Sequence, residues 1–108
     1  MTHPHDSGAV EAEALMRSRY DAYVRGDRDH LLATWHPSTR PADLELDPRT
    51  KWLGLEVRSR RQVDETHAQV EFVARYRPPG SGRAERLHER SRFLKENGRW
   101  FYVDGDMP

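Results

Sequence analysis

Apolar residues recur with a helical period in the first third of the chain. Residues 9–25 carry them every three or four positions, which places one apolar stripe along a helix face. Gly26 ends this pattern, and Asp27 is a favourable N-cap for a second helix over 27–36, which Pro37 follows. The first third therefore predicts two helices joined by a short turn.

The period changes after Pro48. Before it, residues 41–46 start with a proline and predict one further helical turn. Beyond it, apolar and polar residues alternate, and the alternating segments predict four strands, over 51–61, 66–77, 84–96 and 99–105. Helices followed by a run of strands indicate an α+β domain, with N-terminal helices packed on a curved, mainly antiparallel sheet.

A tight turn joins the last two predicted strands. Residues 97–98 are Asn-Gly, the pair that favours a type I′ turn because both positions need positive φ. A two-residue turn fixes the pairing of the flanking strands, and it places Phe93 opposite Tyr102 and Ser91 opposite Asp104.

One face of this hairpin carries residues that could line a pocket. They are Glu89, Ser91, Phe93, Tyr102 and Asp104. Glu89, Asp104 and Tyr102 are the candidate catalytic residues, because a desolvated carboxylate can act as a base while a phenol donates to a developing oxyanion. The same residues could equally form a solvated edge of the sheet.

Arg19 falls in the middle of the apolar stripe of the first helix. A buried guanidinium needs a partner, since an unpaired buried charge costs several kcal/mol. We expect Arg19 to bond to Glu89, with Ser91 or Asp104 completing the network. The expected pocket or structural network consists of Arg19, Tyr23, Trp35, His36, Glu89, Ser91 and Phe93. For His36, a structural bond to a loop is favoured over catalysis, because no acid lies near it in sequence.

Length and charge limit the function classes. The 108 residues fit a disordered leader over 1–7 and a single domain over 8–108. The 18 Lys and Arg residues balance the 18 acids, so no global field favours nucleic acid. Residues 58–61 are a basic run that nearby acids offset, and we expect no nucleic-acid partner.

The residue types exclude several kinds of site. The chain has no cysteine, which excludes disulfides and thiolate zinc sites. His3 and His5 offer only two possible metal ligands in the leader, so we expect no metal and no cofactor. No apolar run approaches the ~18 residues that span a bilayer, and no signal peptide is recognisable, so we expect a cytoplasmic protein without a membrane partner.

Four stretches resemble a known family. They are ALMRSRYDAYVRGDRDHLLATWHPSTRP at 14–41, WLGLEV at 52–57, VEFVARY at 70–76 and HERSRFLKENGRWFYVDGD at 88–106. In these stretches the chain resembles the central domain of the YchJ family, a member of the nuclear transport factor 2-like superfamily. The resemblance implies a cone-shaped α+β fold. Family members often carry flanking zinc motifs of the SecA C-terminal type, whose roles cannot be transferred to a sequence without cysteine.

The resemblance leaves the activity unassigned, because the superfamily includes isomerases and dehydratases as well as binding and dimerisation modules. We expect an uncharacterised accessory or small-ligand-binding domain with a concave pocket. One alternative is a pocket enzyme that performs acid–base chemistry. Another is an interaction module that exposes Trp52 and Val73 on the outer face of the sheet. Apolar residues on both faces of the last strand also predict a homodimer formed through the convex face.

Overall fold

The computed structural model describes residues 4–108, with side chains from residue 7 onward. It contains two helices and four strands, as the periodicity predicts. The elements are α1 Pro4–Arg25, α2 Arg28–Ala33, β1 Lys51–Asp64, β2 His67–Arg77, β3 Glu85–Glu96 and β4 Arg99–Asp106. The strands form one antiparallel sheet in the order β1-β2-β3-β4, so the predicted α+β architecture is confirmed.

α1 packs across one face of the sheet. Small residues bring the helix close to the strands: Ala12 is fully buried and lies in one cluster with Met16, Val70 and Phe93. At the end of the sheet, the indole Nε1 of Trp100 donates to a carboxylate of α1 over 2.8 Å. We call this side of the sheet the inner face and the opposite side the outer face.

The segment after α2 closes one edge of the sheet. Asp27 caps α2 by accepting a hydrogen bond from the backbone N–H of His30 over 3.1 Å, as its sequence position predicts. The chain then runs beside β4, where Tyr102 N–H donates to Thr34 O over 2.9 Å and His36 N–H donates to Tyr102 O over 2.8 Å. These bonds hold the residue between them, Trp35, against the Tyr102 ring.

Two segments differ from the sequence prediction. α1 begins at Pro4, so it includes residues 4–7 of the expected leader, while residues 1–3 and the side chains of His3 and His5 lie outside the described part of the chain. Proline is favoured in the first turn of a helix. The helical turn predicted over 41–46 is absent from the structure, because a single turn must bear the full cost of helix nucleation and the next proline follows at once.

A β-bulge changes the predicted register of the last hairpin. The Asn-Gly turn is present, with positive φ at both residues, and Phe93 lies opposite Tyr102 as predicted. The register then shifts by one residue, so Asp104 pairs with Arg92 and Gly105 pairs with Ser91. The predicted pairing of Ser91 with Asp104 was therefore wrong. Since neighbouring residues of a strand point to opposite faces, the extra residue moves Asp104 to the outer face.

A second bulge corrects the expected outer-face anchors. Between Trp52 and Gly54 the register of β1 shifts, which turns Trp52 to the inner face, where its ring lies 5.6 Å from that of Tyr23. Val73 is only 4% exposed. The expectation that Trp52 and Val73 are exposed anchors on the outer face was therefore wrong. In the described part of the chain, no helix is long and apolar enough to cross a membrane.

Candidate functional site

A pocket of about 100 Å³ lies between α1 and the inner face of the sheet. Its lining combines apolar side chains with one buried cation, one carboxylate and three phenols. The lining residues are Met16, Arg19, Tyr20, Tyr23, Phe72, Leu87, Glu89, Ser91, Phe93 and Tyr102. α1 supplies the first four, β3 supplies Leu87, Glu89, Ser91 and Phe93, and the alternation of side chains along β3 explains why every second residue reaches the pocket.

Arg19 is buried in the wall of this pocket, with 6% of its surface exposed. Its Nη1 donates to the carbonyl oxygen of Leu31 over 2.8 Å and to the hydroxyl of Thr34 over 2.6 Å. The guanidinium also lies over two rings, with its Cζ 5.0 Å from the centroid of Trp35 and 4.5 Å from that of Tyr102. Carbonyl, hydroxyl and ring faces therefore surround the cation.

The predicted bond from Arg19 to Glu89 is not present. No hydrogen bond or ion pair joins the two among residues 7–108, although Glu89 is near enough to act on the pKa of Arg19. Burial lowers that pKa, while Tyr23 and Glu89 oppose the shift. The prediction considered only an acidic side chain as the partner of Arg19. The last turn of a helix also has carbonyl oxygens that lack an intrahelical donor, and Leu31 O in α2 is one of them.

Glu89 is half-buried and keeps one oxygen available. Its Oε2 accepts a hydrogen bond of 2.5 Å from Ser91 and a long one of 3.5 Å from the Tyr102 hydroxyl. No side chain that the structure describes donates to its Oε1. A Cβ atom at Gly105 would lie 2.6 Å from the Glu89 Cδ, so the missing side chain at Gly105 makes room for this carboxylate.

Two of the phenols are protonated hydrogen-bond donors at neutral pH. Burial raises the pKa of Tyr102, and the nearby Glu89 carboxylate raises it further. Burial also raises the pKa of Tyr23, and Arg19 opposes part of that shift. Because both tyrosines already ionise near pH 10 in water, these shifts keep their hydroxyls neutral. The site therefore offers phenol hydroxyls as hydrogen-bond donors and the Glu89 carboxylate as an acceptor.

Three of the predicted site residues lie outside the pocket. Trp35 is behind the wall, where it stacks edge-on against Tyr102 with ring centroids 5.1 Å apart. His36 contacts a loop and the end of β3: its Nδ1 is 2.7 Å from the hydroxyl of Ser38 and its Nε2 is 3.0 Å from a carboxylate oxygen of Glu96. The acid beside His36 comes from 60 residues further along the chain, which is why local sequence gave no sign of it.

Asp104 lies on the outer face. Its Oδ1 accepts a hydrogen bond of 2.5 Å from the Nε of Arg92, which also bonds to Asp106. The expectation that Asp104 shares a face with Glu89 and Ser91 was wrong, because the bulge in β4 reverses the side on which it stands.

Sequence reasoning did not single out five residues that matter here. Met16, Phe72 and Leu87 follow the apolar periodicities of their elements, but that pattern does not separate a pocket wall from an ordinary core. Tyr20 precedes Tyr23 by three residues, so helical spacing places both phenols on neighbouring positions of one face. Gly105 gave no signal at all, since its role depends on the bulge beside it.

The chain matches a described family along most of its length. Residues 11–105 match the model of "YchJ, middle NTF2-like domain". A UPF0225 protein of Polaromonas sp. (strain JS666 / ATCC BAA-500) is 66% identical over 98 residues, which cover 91% of this chain and 70% of the relative. A UPF0225 protein of Bordetella pertussis is 59% identical over 100 residues, which cover 92% of this chain and 74% of that protein.

Two solved structures share the fold. A SEC-C motif containing protein from Rhodopseudomonas palustris aligns with a TM-score of 0.78 and 35% identity, over 93% of this chain and 80% of that chain. A SEC-C motif containing protein from Psychrobacter arcticus aligns with a TM-score of 0.69 and 32% identity, over 89% of this chain and 60% of that chain. These likenesses confirm both the nuclear transport factor 2-like fold and the resemblance inferred from the sequence. The chain belongs to the YchJ (UPF0225) family, whose middle domain it contains.

Proposed function

We propose that the pocket between α1 and the sheet binds a small molecule, and that the domain serves as a ligand-binding or accessory domain without catalysis of its own. The observation that carries the proposal is hydrogen-bonding capacity left open at a cavity. The Oε1 of Glu89 and the hydroxyl of Tyr23 both line the pocket, and neither has a hydrogen-bond partner in the described part of the chain. A ligand that replaces water at these two groups can pair both of them while it covers the apolar walls of the pocket.

The pocket limits the size and polarity of this ligand. Its volume is about 100 Å³, somewhat less than the ~150 Å³ of an engineered cavity that holds benzene. Phe72, Leu87 and Phe93 supply apolar walls. Glu89 accepts hydrogen bonds and Tyr23 donates them, so the molecule that fits has a compact apolar body, one N–H or O–H donor and one oxygen acceptor.

A screen for thermal stabilisation by small metabolites tests this proposal. A ligand that binds only the folded state raises the melting temperature by mass action. The variant Leu87→Phe narrows the pocket and should abolish the shift produced by any hit. Leu94→Phe is the matched control, because it makes the same change on the same strand but on the outer face. Hits that stabilise both variants equally would show that they bind elsewhere.

Acid–base chemistry on the bound molecule is the second candidate. Glu89 forms no ion pair with any described residue, and its Oε1 has no donor among the described side chains, so that oxygen can accept a proton from a bound molecule. In this alternative Glu89 takes a proton from a carbon next to a carbonyl group. The hydroxyl of Tyr23 or Tyr102 then donates to the carbonyl oxygen as it gains negative charge, and the positive charge of Arg19 favours that change.

The two candidates differ in a measurement of proton exchange. If Glu89 removes a proton from carbon, a hit incubated with the protein in deuterium oxide should exchange that hydrogen, and Glu89→Gln should stop the exchange while binding persists. No exchange above the buffer rate, with saturable binding, would leave the domain as a binding module and exclude the acid–base reaction for that ligand.

Self-association stays a prediction. The argument for a dimer is weaker than the sequence suggested, because the structure already covers apolar residues of β4. Of the apolar residues on β4, Trp100 and Tyr102 are covered by α1 and by the segment after α2. On the outer face, the Phe101 ring contacts His36 at a centroid distance of 5.7 Å. Sedimentation equilibrium at high micromolar concentration tests the dimer, and a monomer mass would exclude it in that range.

A further inference from the structure

Four cations lie together at one end of the outer face. Arg75 of β2 pairs directly with Arg86 of β3, and Lys51 of β1 pairs directly with Arg77 of β2. Arg75 and Arg77 are two positions apart on one strand, so all four side chains leave the same face within about 5–8 Å of a neighbour. Like charges directly opposite each other destabilise a sheet. We call these four residues the basic cluster.

Among the residues that the structure describes, the basic cluster has no carboxylate partner. None of its four side chains forms an ion pair or a hydrogen bond with a side chain that the structure describes. Elsewhere on the outer face two arginines are paired with acids: Arg58 binds Glu56 at 3.1 Å, and Arg90 contacts Glu71 at 3.3 Å. Although the chain has equal numbers of acids and of Lys and Arg, these four cations stand together without an acid paired to them among the described residues.

One cation of the cluster is also partly withdrawn from water. The side chain of Arg77 is half-buried, and its Nε is buried without a hydrogen-bond partner among residues 7–108. An unsatisfied buried donor is costly, more so when it belongs to a charged group. This end of the sheet therefore carries two unfavourable features: repulsion among the four cations, and the Nε of Arg77 as a buried donor without a partner among the described residues.

A hollow of about 210 Å³ adjoins two of these cations. Arg75 and Arg86 line it together with Gly54, whose missing side chain leaves open space, since a Cβ there would have no atom within 4 Å. Leu55 and the buried Val73 also line the hollow. Glu56 also lines the hollow, and its carboxylate is paired with Arg58.

We propose that this hollow binds the phosphoryl group of a small phosphate ester. The guanidinium groups of Arg75 and Arg86 donate to the phosphate oxygens. Lys51 and Arg77 add positive charge, so the cluster suits a dianionic phosphoryl group better than a ligand with a singly charged carboxylate. Four cations are concentrated around one hollow, whereas Arg58 and Arg90 are paired with acids and Arg61, at the far end of β1, is a single cation unpaired among the described residues. That distribution fits a small ligand rather than a polymer with regularly spaced phosphates. This site is separate from the inner pocket and does not depend on its function.

Titration with inorganic pyrophosphate tests the proposal, because it supplies the phosphoryl chemistry without any other recognition element. We expect saturable binding in calorimetry and a rise in melting temperature, measured at constant ionic strength against sodium chloride. Arg75→Gln and Arg86→Gln should each weaken binding at least tenfold. Arg61→Gln is the matched control: Arg61 is also an exposed outer-face arginine without an ion pair among the described residues, but it lies at the far end of β1 and should leave binding unchanged.

The unliganded variants provide a second measurement. Because the cluster repels itself, Arg86→Gln without pyrophosphate should raise the melting temperature at low salt, and Arg61→Gln should not. If chloride and pyrophosphate raised the melting temperature equally, the effect would be charge screening alone, and the proposal would be overturned. So would pyrophosphate binding that survives both cluster substitutions. Binding of single-stranded oligonucleotides but not of pyrophosphate, weakened by Arg61→Gln as well, would replace the small-ligand site with a nucleic-acid surface.

Discussion

The Arg19 guanidinium lies over the Tyr102 ring, with its Cζ 4.5 Å from the ring centroid. This contact joins α1 to β4, two elements that are separated by most of the chain. The same arginine donates to Leu31 O and Thr34 Oγ1, so it also fixes the segment that closes the sheet edge. Arg19 is therefore the buried contact that connects helix, edge segment and sheet around the inner pocket.

Replacing Arg19 should destabilise the fold. In Arg19→Met the acceptors Leu31 O and Thr34 Oγ1 lose a charged donor, and each buried group left unpaired costs about 1–3 kcal/mol. We expect the free energy of unfolding in urea to fall by roughly 2–4 kcal/mol. Arg17→Met is the control, since Arg17 is exposed and its ion pair with Glu13 is a surface pair worth ~0–1 kcal/mol. Equal losses in the two variants would show that burial of Arg19 contributes nothing.

A double-mutant cycle separates the partners of Arg19. Arg19→Met combined with Thr34→Val should show a coupling energy of about 0.5–3 kcal/mol, because the two side chains are bonded over 2.6 Å. Arg19→Met combined with Glu89→Gln should be closer to additive, since no bond joins that pair among the described residues. A larger coupling with Glu89 than with Thr34 would restore the ion pair that the sequence predicted.

The raised pKa of Tyr102 predicts a loss of stability in alkali. A tyrosine whose pKa is raised by folding keeps its proton in the folded state while the unfolded chain releases it, so this contribution is complete below about pH 10 and declines as the pH rises above it. The unfolding free energy of the natural protein should thus fall more between about pH 8 and pH 11 than that of Tyr102→Phe. Urea titrations of both proteins measure the difference, and identical pH profiles would contradict the burial of the phenol.

Gly105 should matter for the position of Glu89 more than for folding. A Cβ at Gly105 would displace the Glu89 carboxylate, but the displaced atoms are the far end of a flexible side chain. We expect Gly105→Ala to change the unfolding free energy by no more than about 1 kcal/mol, because the glycine-to-alanine gain of ~0.4–1 kcal/mol offsets the displacement. In a Glu89→Ala background the same substitution should be stabilising. A destabilising effect in both backgrounds would show that the backbone at Gly105 forbids a side chain.

Local patterns predicted the elements that local forces decide. The Asn-Gly turn at 97–98 fixed the hairpin, Gly26 separated the two helices, and the change of period after Pro48 separated helices from strands. The bulges next to Gly54 and Asp104 were not predictable, because one extra residue in a strand leaves the alternation of the sequence almost unchanged while it reverses the faces.

The same local patterns predicted part of the site. Register from the turn brought Glu89, Ser91, Phe93 and Tyr102 to one face, and helical phase brought Arg19 and Tyr23 towards them. The partners of Arg19 were not predicted, because the sequence does not show which backbone carbonyl oxygens lack a hydrogen-bond donor. The contact of His36 with Glu96 was missed because it depends on the path of a loop.

The proposed ligand of the inner pocket binds at Glu89. The most direct measurement is a two-dimensional ¹H–¹⁵N NMR titration of the natural protein with a hit from the thermal screen. We predict that the largest shifts occur at the amides of Leu87, Ser91 and Gly105, saturate together, and disappear in Leu87→Phe but not in Leu94→Phe. Shifts confined to the outer face, or unchanged in Leu87→Phe, would contradict the account.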